Sequence, residues 1–448
     1  MVKTIGNVQK DAQVRAVASG TLSNGDTIIV NSDGTVSAVG QTTISQVVGS
    51  EVVFESATTE YIQCAFDSSN NKVVIVYKDD ANSNYGTAVV GTVSGNSISF
   101  GTPVVYESGQ VRWQFPVFDS TNNKIVIAYR KDDDGGDGAA IVGTVSGTSI
   151  SFGTSSEFEA GEVLSSAQPL TATFDSNSGK VVIAYVESSN SNYGMAIVGT
   201  VSGTSISFGS NVAFESSSSS QLASTFDTNS NKVVIFYKVS STGKGIVGTV
   251  SGTSISFGSS ANIGGNPNYT FGTFDSTNNK AIVVYQDGDN SSYGTAAVAT
   301  VSGASISFGT PVVFRSKQCQ LLGATFDSNA NKVIVAYRNA NTGENAGELV
   351  VGTVSGTSIS FDSEVTFNSD NTRWISATFD SNANKVVIAY KDEGNSNYGT
   401  ALVFQPSYQS TNLTAENFIG FADGAYADTQ SAAINSTCSV DRSQTSLT

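Results

Sequence analysis

Ala324-Thr325-Phe326-Asp327-Ser328-Asn329-Ala330-Asn331-Lys332-Val333-Ile334-Val335-Ala336-Tyr337 decides the fold, because the chain repeats it. The Phe-Asp pair returns at Phe66/Asp67, Phe118/Asp119, Phe174/Asp175, Phe226/Asp227, Phe274/Asp275, Phe326/Asp327 and Phe379/Asp380. Successive spacings are 52, 56, 52, 48, 52 and 53 residues. A period near 50 marks a stacked or circular array in which each unit buries its neighbour's face.

One repeat carries four strand signals. The first strand ends at the Phe-Asp pair, and the second is Lys-Val-Val-Ile-Ala-Tyr or a close variant. The third ends in Gly-Thr-Val-Ser-Gly, and the fourth reads Ser-Ile-Ser-Phe-Gly-Thr-Pro-Val-Val-Phe. The second strand is continuously apolar, as expected when both faces are buried. The fourth alternates polar and apolar and carries Pro103 and Pro311, which suits an edge. A sheet of this size does not cover both its faces alone, whereas a ring of face-to-face sheets does.

The two ends predict closure. Six copies run on into a fourth strand, but the seventh leaves the pattern after Ala401-Leu402-Val403-Phe404-Gln405-Pro406. Glu51-Val52-Val53-Phe54-Glu55-Ser56 precedes the first copy and matches Pro103-Val104-Val105-Tyr106-Glu107-Ser108. The expected fold is therefore an all-β, seven-bladed β-propeller over residues 51–405, shut by its own N-terminal strand. Small β segments flank it at 1–50 and 406–448.

Composition excludes several functions. The 448 residues contain no His, so Ser-His-Asp triads, His-based zinc sites and His general bases are absent. A net charge of -16 argues against nucleic acid as a partner. Cys64, Cys319 and Cys438 make no disulfide framework. No apolar run approaches a membrane span, and Met1-Val2-Lys3-Thr4-Ile5-Gly6-Asn7 lacks the apolar core of a secretory signal. The expectation is a protein made in a host cytoplasm, with no membrane insertion and no cofactor.

Thr27-Ile28-Ile29-Val30 and Thr35-Val36-Ser37-Ala38-Val39, joined by Asn31-Ser32-Asp33-Gly34, read as a hairpin in the N-terminal flank. The C-terminal stretch Leu413-Thr414-Ala415-Glu416-Asn417-Phe418-Ile419-Gly420-Phe421-Ala422-Asp423-Gly424-Ala425-Tyr426 has no propeller period. It resembles a short module near the ends of tail-fibre and other structural proteins of tailed bacteriophages. The repeats resemble propeller arrays in marine phage proteins. In that family the module continues into another hairpin, whereas here it is incomplete. The resemblance implies a virion location and a structural or adhesive role. It also implies a surface glycan or another virion protein as partner, and homo-oligomer formation through the flanks.

Differences between the copies locate a candidate site. The Asp-to-Lys turns are uniform, which suits Asp-capped hairpins with a screened Asp–Lys pair; seven equivalent binding sites is the competing reading. The opposite face varies. Its loops include Asp79–Tyr85, Asp132–Asp137 and Val239–Lys244, and its interblade connections include Glu107–Trp113 and Arg315–Gln318. Five residues before each Phe stand Tyr61, Trp113, Pro169, Gln221, Tyr269, Leu321 and Trp374, which include both tryptophans of the chain. Two residues before stand Cys64, Pro116, Ala172, Ser224, Gly272, Ala324 and Ala377, small enough for a crowded inner ring.

An aromatic rim with nearby Arg suits a sugar, whose ring stacks while polar groups hold its hydroxyls. Tyr61, Arg112, Trp113, Tyr269, Arg315, Lys317, Arg373 and Trp374 are the ligand-binding candidates; packing of these aromatics at the blade seams is the alternative. Asp132–Asp137 and Asp287-Gly288-Asp289-Asn290 invite a calcium reading, but both lack a distal Glu at the usual spacing, so no metal ligand is assigned. No catalytic residue is assigned either. The expected function is a non-enzymatic virion adhesin or structural protein, probing glycans or a partner through its variable face. A carboxylate-based, sialidase-like glycosidase and an architectural spacer or capsid-associated protein are the alternatives.

Overall fold

Each repeat turns on its Asp. In all seven copies one carboxylate oxygen accepts from the backbone N–H groups two and three residues on, at 2.8–3.0 Å. The residue after these is left-handed: an Asn in six copies, such as Asn331 at φ 55°, and Gly179 in the third. Asn and Gly bear that conformation at least cost. The Lys then pairs opposite the Asp, as in Asp327↔Lys332. No Asp–Lys ion pair forms across these turns among the described residues. The Asp is spent on amides, and Lys332 donates to the Thr353 hydroxyl at 2.6 Å.

The computed structural model of the chain describes residues 13–341, 343–413, 418–422, 425, 427 and 430–435. Met1–Asn7, Cys438 and half of the 413–426 stretch lie outside them. Blade six shows the plan. Its inner strand is the second half of Val312–Asp327, followed by Lys332–Asn339 and Gly347–Ser355, all antiparallel. The outer strand comes in two pieces, Ser358–Phe361 and Val365–Asn368, each paired with part of the third strand. The sequence predicts one continuous outer strand. In blade one the next blade's turn comes close to this break: a Cβ on Gly101 would sit 1.9 Å from the Thr148 carbonyl oxygen.

The pairing gives seven such units among the described residues. The seventh borrows its outer strand from the N-terminal side. Val52, Val53 and Glu55 pair with Ala401, Thr400 and Gly399 of Tyr398–Gln405, and Val48 pairs with Phe404. The expected closure is present and begins a few residues earlier than residue 51. Inner strands pack side by side in order, the seventh against the first. Two connections read as loops are instead strand: Glu107–Trp113 lies within Val104–Asp119, and Arg315–Gln318 within Val312–Asp327. The backbone crosses from an outer to an inner position while staying paired, first Gln110 with Tyr85, then Val111 with Lys131.

The core lies in the seams. Seven apolar clusters each join two neighbouring blades. Alternate residues of one strand feed opposite seams: Ile125, Ile127 and Tyr129 face blade one, and Val126 and Ala128 face blade three. This is why the second strand is apolar throughout. Each fully buried aliphatic side chain contributes about 1.5–3 kcal/mol.

Residues 1–45 and 407–448 form a second unit. Its sheet runs Gln13–Val17, Ser431–Asn435, Phe418–Ala422, Thr27–Val30, Val36–Ala38. Gln41–Ile44 pairs separately with Tyr408–Thr411. The hairpin at 27–39 forms as expected. The two flanks, however, are not separate segments: they share one sheet and a small core of Ala18, Leu22, Ile28, Val36, Ala422 and Ile434. No helix among the described residues is long and apolar enough to cross a membrane.

Candidate binding site: an axial cavity

The row five residues before each Phe sits in an unusual backbone. Tyr61, Trp113, Gln221, Tyr269, Leu321 and Trp374 all have φ between 49° and 56°. The register of inner and second strands slips at the same points, so that two residues, such as Tyr61 and Ile62, face one, Tyr77. This is a β-bulge whose first residue is left-handed, a place usually given to Gly. A non-Gly residue there costs about 1–2 kcal/mol. The cost recurs six times at one level of the ring, and such strain persists only where the surroundings hold it. The second bulge residue drops into the blade: Ile62, Gln114, Leu222, Thr270, Leu322 and Ile375 are all buried.

Blade three departs from the row. Pro169 has its φ held near −65° by the pyrrolidine ring and cannot be left-handed. Ala167 and Gln168 take the positive φ instead, at 64° and 48°. Gln168 then reaches the Thr270 carbonyl of blade five at 3.2 Å.

Together these residues enclose a cavity of about 510 Å³ to which every blade contributes. Three of the aromatics pack on one another. Tyr61 lies 4.2 Å from Trp374 and 5.0 Å from Trp113, centroid to centroid, and the two indoles are 6.1 Å apart, edge to face. Trp113 is anchored by its indole N–H, which donates to the Ser165 carbonyl at 3.0 Å. Tyr269 stands in the wall on blade five, its backbone N–H donating to Gln221 Oε1 at 2.7 Å. Burial raises the Tyr61 phenol above its ordinary value, so it stays a neutral hydroxyl. The Lys78 ammonium stands 5.6 Å from the Tyr61 ring centre.

Half of the other lining residues are amides. Gln63, Gln114, Gln168, Gln221, Gln286, Gln320 and Asn268 line it, six of the ten glutamines between residues 46 and 406. Gln114 and Gln286 are committed to the protein: Gln114 Nε2 donates to the Tyr61 carbonyl at 2.9 Å and Gln286 Nε2 to the Cys319 carbonyl at 2.6 Å. Among the described residues, the charged groups of the wall are Arg338 and Arg373, and no carboxylate lines it. Sequence reasoning missed the glutamines and Arg338. The glutamines carried a signal, since Gln63, Gln114, Gln168 and Gln320 stand within two residues of the aromatic row.

The candidates do not all meet here. Tyr61, Trp113, Tyr269, Arg373 and Trp374 do. Arg112 lies outside the wall and pairs with Asp132 at 2.6 Å. Lys317 is half exposed, 3.9 Å from Glu344. Arg315 is 1% exposed and belongs to a seam, where it pairs with Glu348 and Glu364. It occupies the position held elsewhere by Glu55, Glu107, Glu159 and Glu215, whose carboxylates meet the tyrosines of the next blade.

Phe115 of blade two and Phe271 of blade five stack with centroids 6.2 Å apart. A second hollow of about 390 Å³ opens on the Phe-Asp side, lined by Cys64, Ala172, Ser224, Gly272 and Ala377 of the small-residue row and by phenyl rings. The acidic loops are taken up by protein donors. Asp132 pairs with Arg112 and Arg130, and Asp287 accepts from the backbone of Asn266 and Asp289. Asp134, Asp137 and Glu157 bring oxygens within 4.8 Å of one another, with the Lys131 ammonium 3.6 Å from Asp134 and 3.4 Å from Glu157.

No family model and no curated protein matches this chain. Among solved structures it is similar to the Cps50 (Swd1) β-propeller domain of Myceliophteria thermophila, at 9% identity over 80% of this chain and 99% of that one, with a TM-score of 0.53. The Dos1 propeller (12% identity, 80% and 95% coverage, TM-score 0.48) and the NanB sialidase of Streptococcus pneumoniae (13%, 79% and 68%, TM-score 0.45) are also similar. The likeness to the Cps50 domain speaks to the fold alone and agrees with the strand pairing: this chain is a β-propeller.

Proposed function

We propose that the propeller is a non-enzymatic binding module that takes a carbohydrate into its axial cavity. One observation carries the reading: the wall joins packed aromatics to amides and arginines and, among the described residues, contains no carboxylate. Indole and phenol faces stack on the apolar face of a sugar ring, and amides meet hydroxyls as donor and acceptor. Glycoside hydrolysis by the common route needs two carboxyl groups about 5–9.5 Å apart across the scissile bond. A wall with neither favours recognition over turnover.

The setting we propose is a tail-fibre-like virion protein that recognises a surface glycan or a partner protein; its support is the resemblance of the repeats and the C-terminal stretch to phage proteins. A glycan array with the full chain tests the binding function. Expected is a defined set of bound sugars, lost in Trp374→Ala and weakened in Trp113→Ala, with no release of reducing sugar. Binding that survives both substitutions would place the site elsewhere, and absence of any binding would favour a spacer. Antibody labelling of purified particles tests the setting.

A further inference from the structure

The two charged residues of the cavity wall are both cations, in a chain whose net charge is -16. They stand on adjacent blades, Arg338 on Lys332–Asn339 and Arg373 on Thr372–Asp380. Arginine is paired with carboxylates elsewhere in the propeller. Arg112 meets Asp132, Arg315 meets Glu348 and Glu364, and Arg373 meets Glu393 at 2.8 Å. Arg130 is the most telling comparison, because it follows Tyr129 as Arg338 follows Tyr337. It pairs with Asp132 and Glu162 and also donates to the Val163 carbonyl at 2.8 Å.

Arg338 has no such partner among the described residues. Its Nη2 donates to the neutral Asn345 amide at 2.7 Å, and its Nε is buried without an acceptor. Burial and the neighbouring Arg373 charge weigh against its charged form, and Glu393, which is in ion-pair contact with Arg373, offsets them only in part. A half-buried guanidinium beside a second one, with no carboxylate in ion-pair contact among the described residues, is an unmet demand in the wall of a cavity that admits a small molecule.

Resting on the proposed function, we propose that the sugar is acidic, and that Arg338, with Arg373 beside it, receives its anionic group while Tyr61 and Trp374 hold its ring. The group is a carboxylate or a sulfate ester; both offer the oxygen pairs that a guanidinium fork accepts. Of the two, Arg338 is the one without an ion pair among the described residues, so it supplies most of the selectivity, and Arg373, already paired with Glu393, supplies less.

The test is binding of matched glycans that differ in one group: terminal glucuronate against glucose, galacturonate against galactose, and 6-sulfated against plain galactose. These are titrated against the full chain, Arg338→Gln, Arg373→Gln and Trp374→Ala, with thermal unfolding as a control for folding. Expected is a preference of at least tenfold for one acidic member over its neutral partner. That preference should shrink as salt rises and vanish in Arg338→Gln. Equal binding of acidic and neutral partners, or an acidic preference that survives Arg338→Gln, overturns the inference; if Trp374→Ala still abolishes binding, the proposed function stands. Binding of no member overturns both. The uronate and sulfate arms tell the two anions apart.

Discussion

The Tyr77 hydroxyl donates to Glu55 Oε2 at 2.9 Å, joining blade one to the strand that completes blade seven. The same latch recurs around the ring: Tyr129 to Glu107 at 2.8 Å, Tyr185 to Glu159 at 2.7 Å and Tyr237 to Glu215 at 3.3 Å. Each tyrosine is fully buried, which raises its phenol well above the ordinary value and keeps it a donor. Glu55→Ala leaves a buried hydroxyl unpaired and is expected to cost about 1–3 kcal/mol. Tyr77→Phe, which leaves only the half-buried carboxylate without its donor, should cost less. Urea unfolding at constant slope reads both.

Two seams carry the latch with opposite charges. Glu215 meets Lys244 at 2.9 Å where blade three joins blade four, and Arg315 meets Glu348 where blade five joins blade six. Lys244 and Glu348 hold the same register, each opposite the seam tyrosine. Arg315→Glu alone leaves like charges together in a buried seam and is expected to cost about 3–5 kcal/mol. Arg315→Glu with Glu348→Lys copies the other seam and should recover more than half of that loss. A double-mutant cycle by chemical denaturation decides it; additive losses would show that the two positions do not interact.

Closure predicts an asymmetry between truncations. A chain starting at Gln46 keeps the strand paired with Tyr398–Gln405, whereas one starting at Ala57 leaves that third strand as a bare edge. The shorter chain is expected to self-associate and to lose its single cooperative transition. Light scattering and calorimetry of the two chains read the difference.

Burial pushes the thiols of Cys64 and Cys319 up to about 12. At pH 8 each is thiolate to only about one part in ten thousand, and the thiolate is the reactive form. Iodoacetamide is expected to leave both unmodified in the folded protein and to label both in denaturant, as read by peptide mapping.

The repeat was legible because its signals are local. The Asp-to-Lys turn specifies itself within six residues, and the apolar second strand declares that both its faces are covered. The borrowed strand was legible because Val52-Val53-Phe54-Glu55 repeats Val104-Val105-Tyr106-Glu107. Pairing of the flanks left no such mark, since Gln13 meets Asn435 through a register that no local pattern encodes. The aromatic row could be counted out, but its orientation depends on a bulge with non-Gly residues in a left-handed conformation, which residue type does not announce. Arg315 was misplaced for a related reason. Its stretch reads as an interblade loop on the variable face; as part of a paired crossing strand, it points into a seam. Arg338 was hidden because a Tyr-Arg step in an apolar strand looks the same at Arg130, where carboxylates consume the charge.

Both tryptophans of the chain line the axial cavity, so its occupancy has a built-in reporter. The most direct measurement is tryptophan emission of the full chain during titration with a glycan whose affinity calorimetry has fixed independently. Occupancy of the cavity requires a saturable change in emission with the calorimetric dissociation constant, smaller in each of Trp113→Phe and Trp374→Phe than in the parent chain. A glycan that binds by calorimetry while both indoles stay spectroscopically silent would show that the ligand sits elsewhere on the propeller.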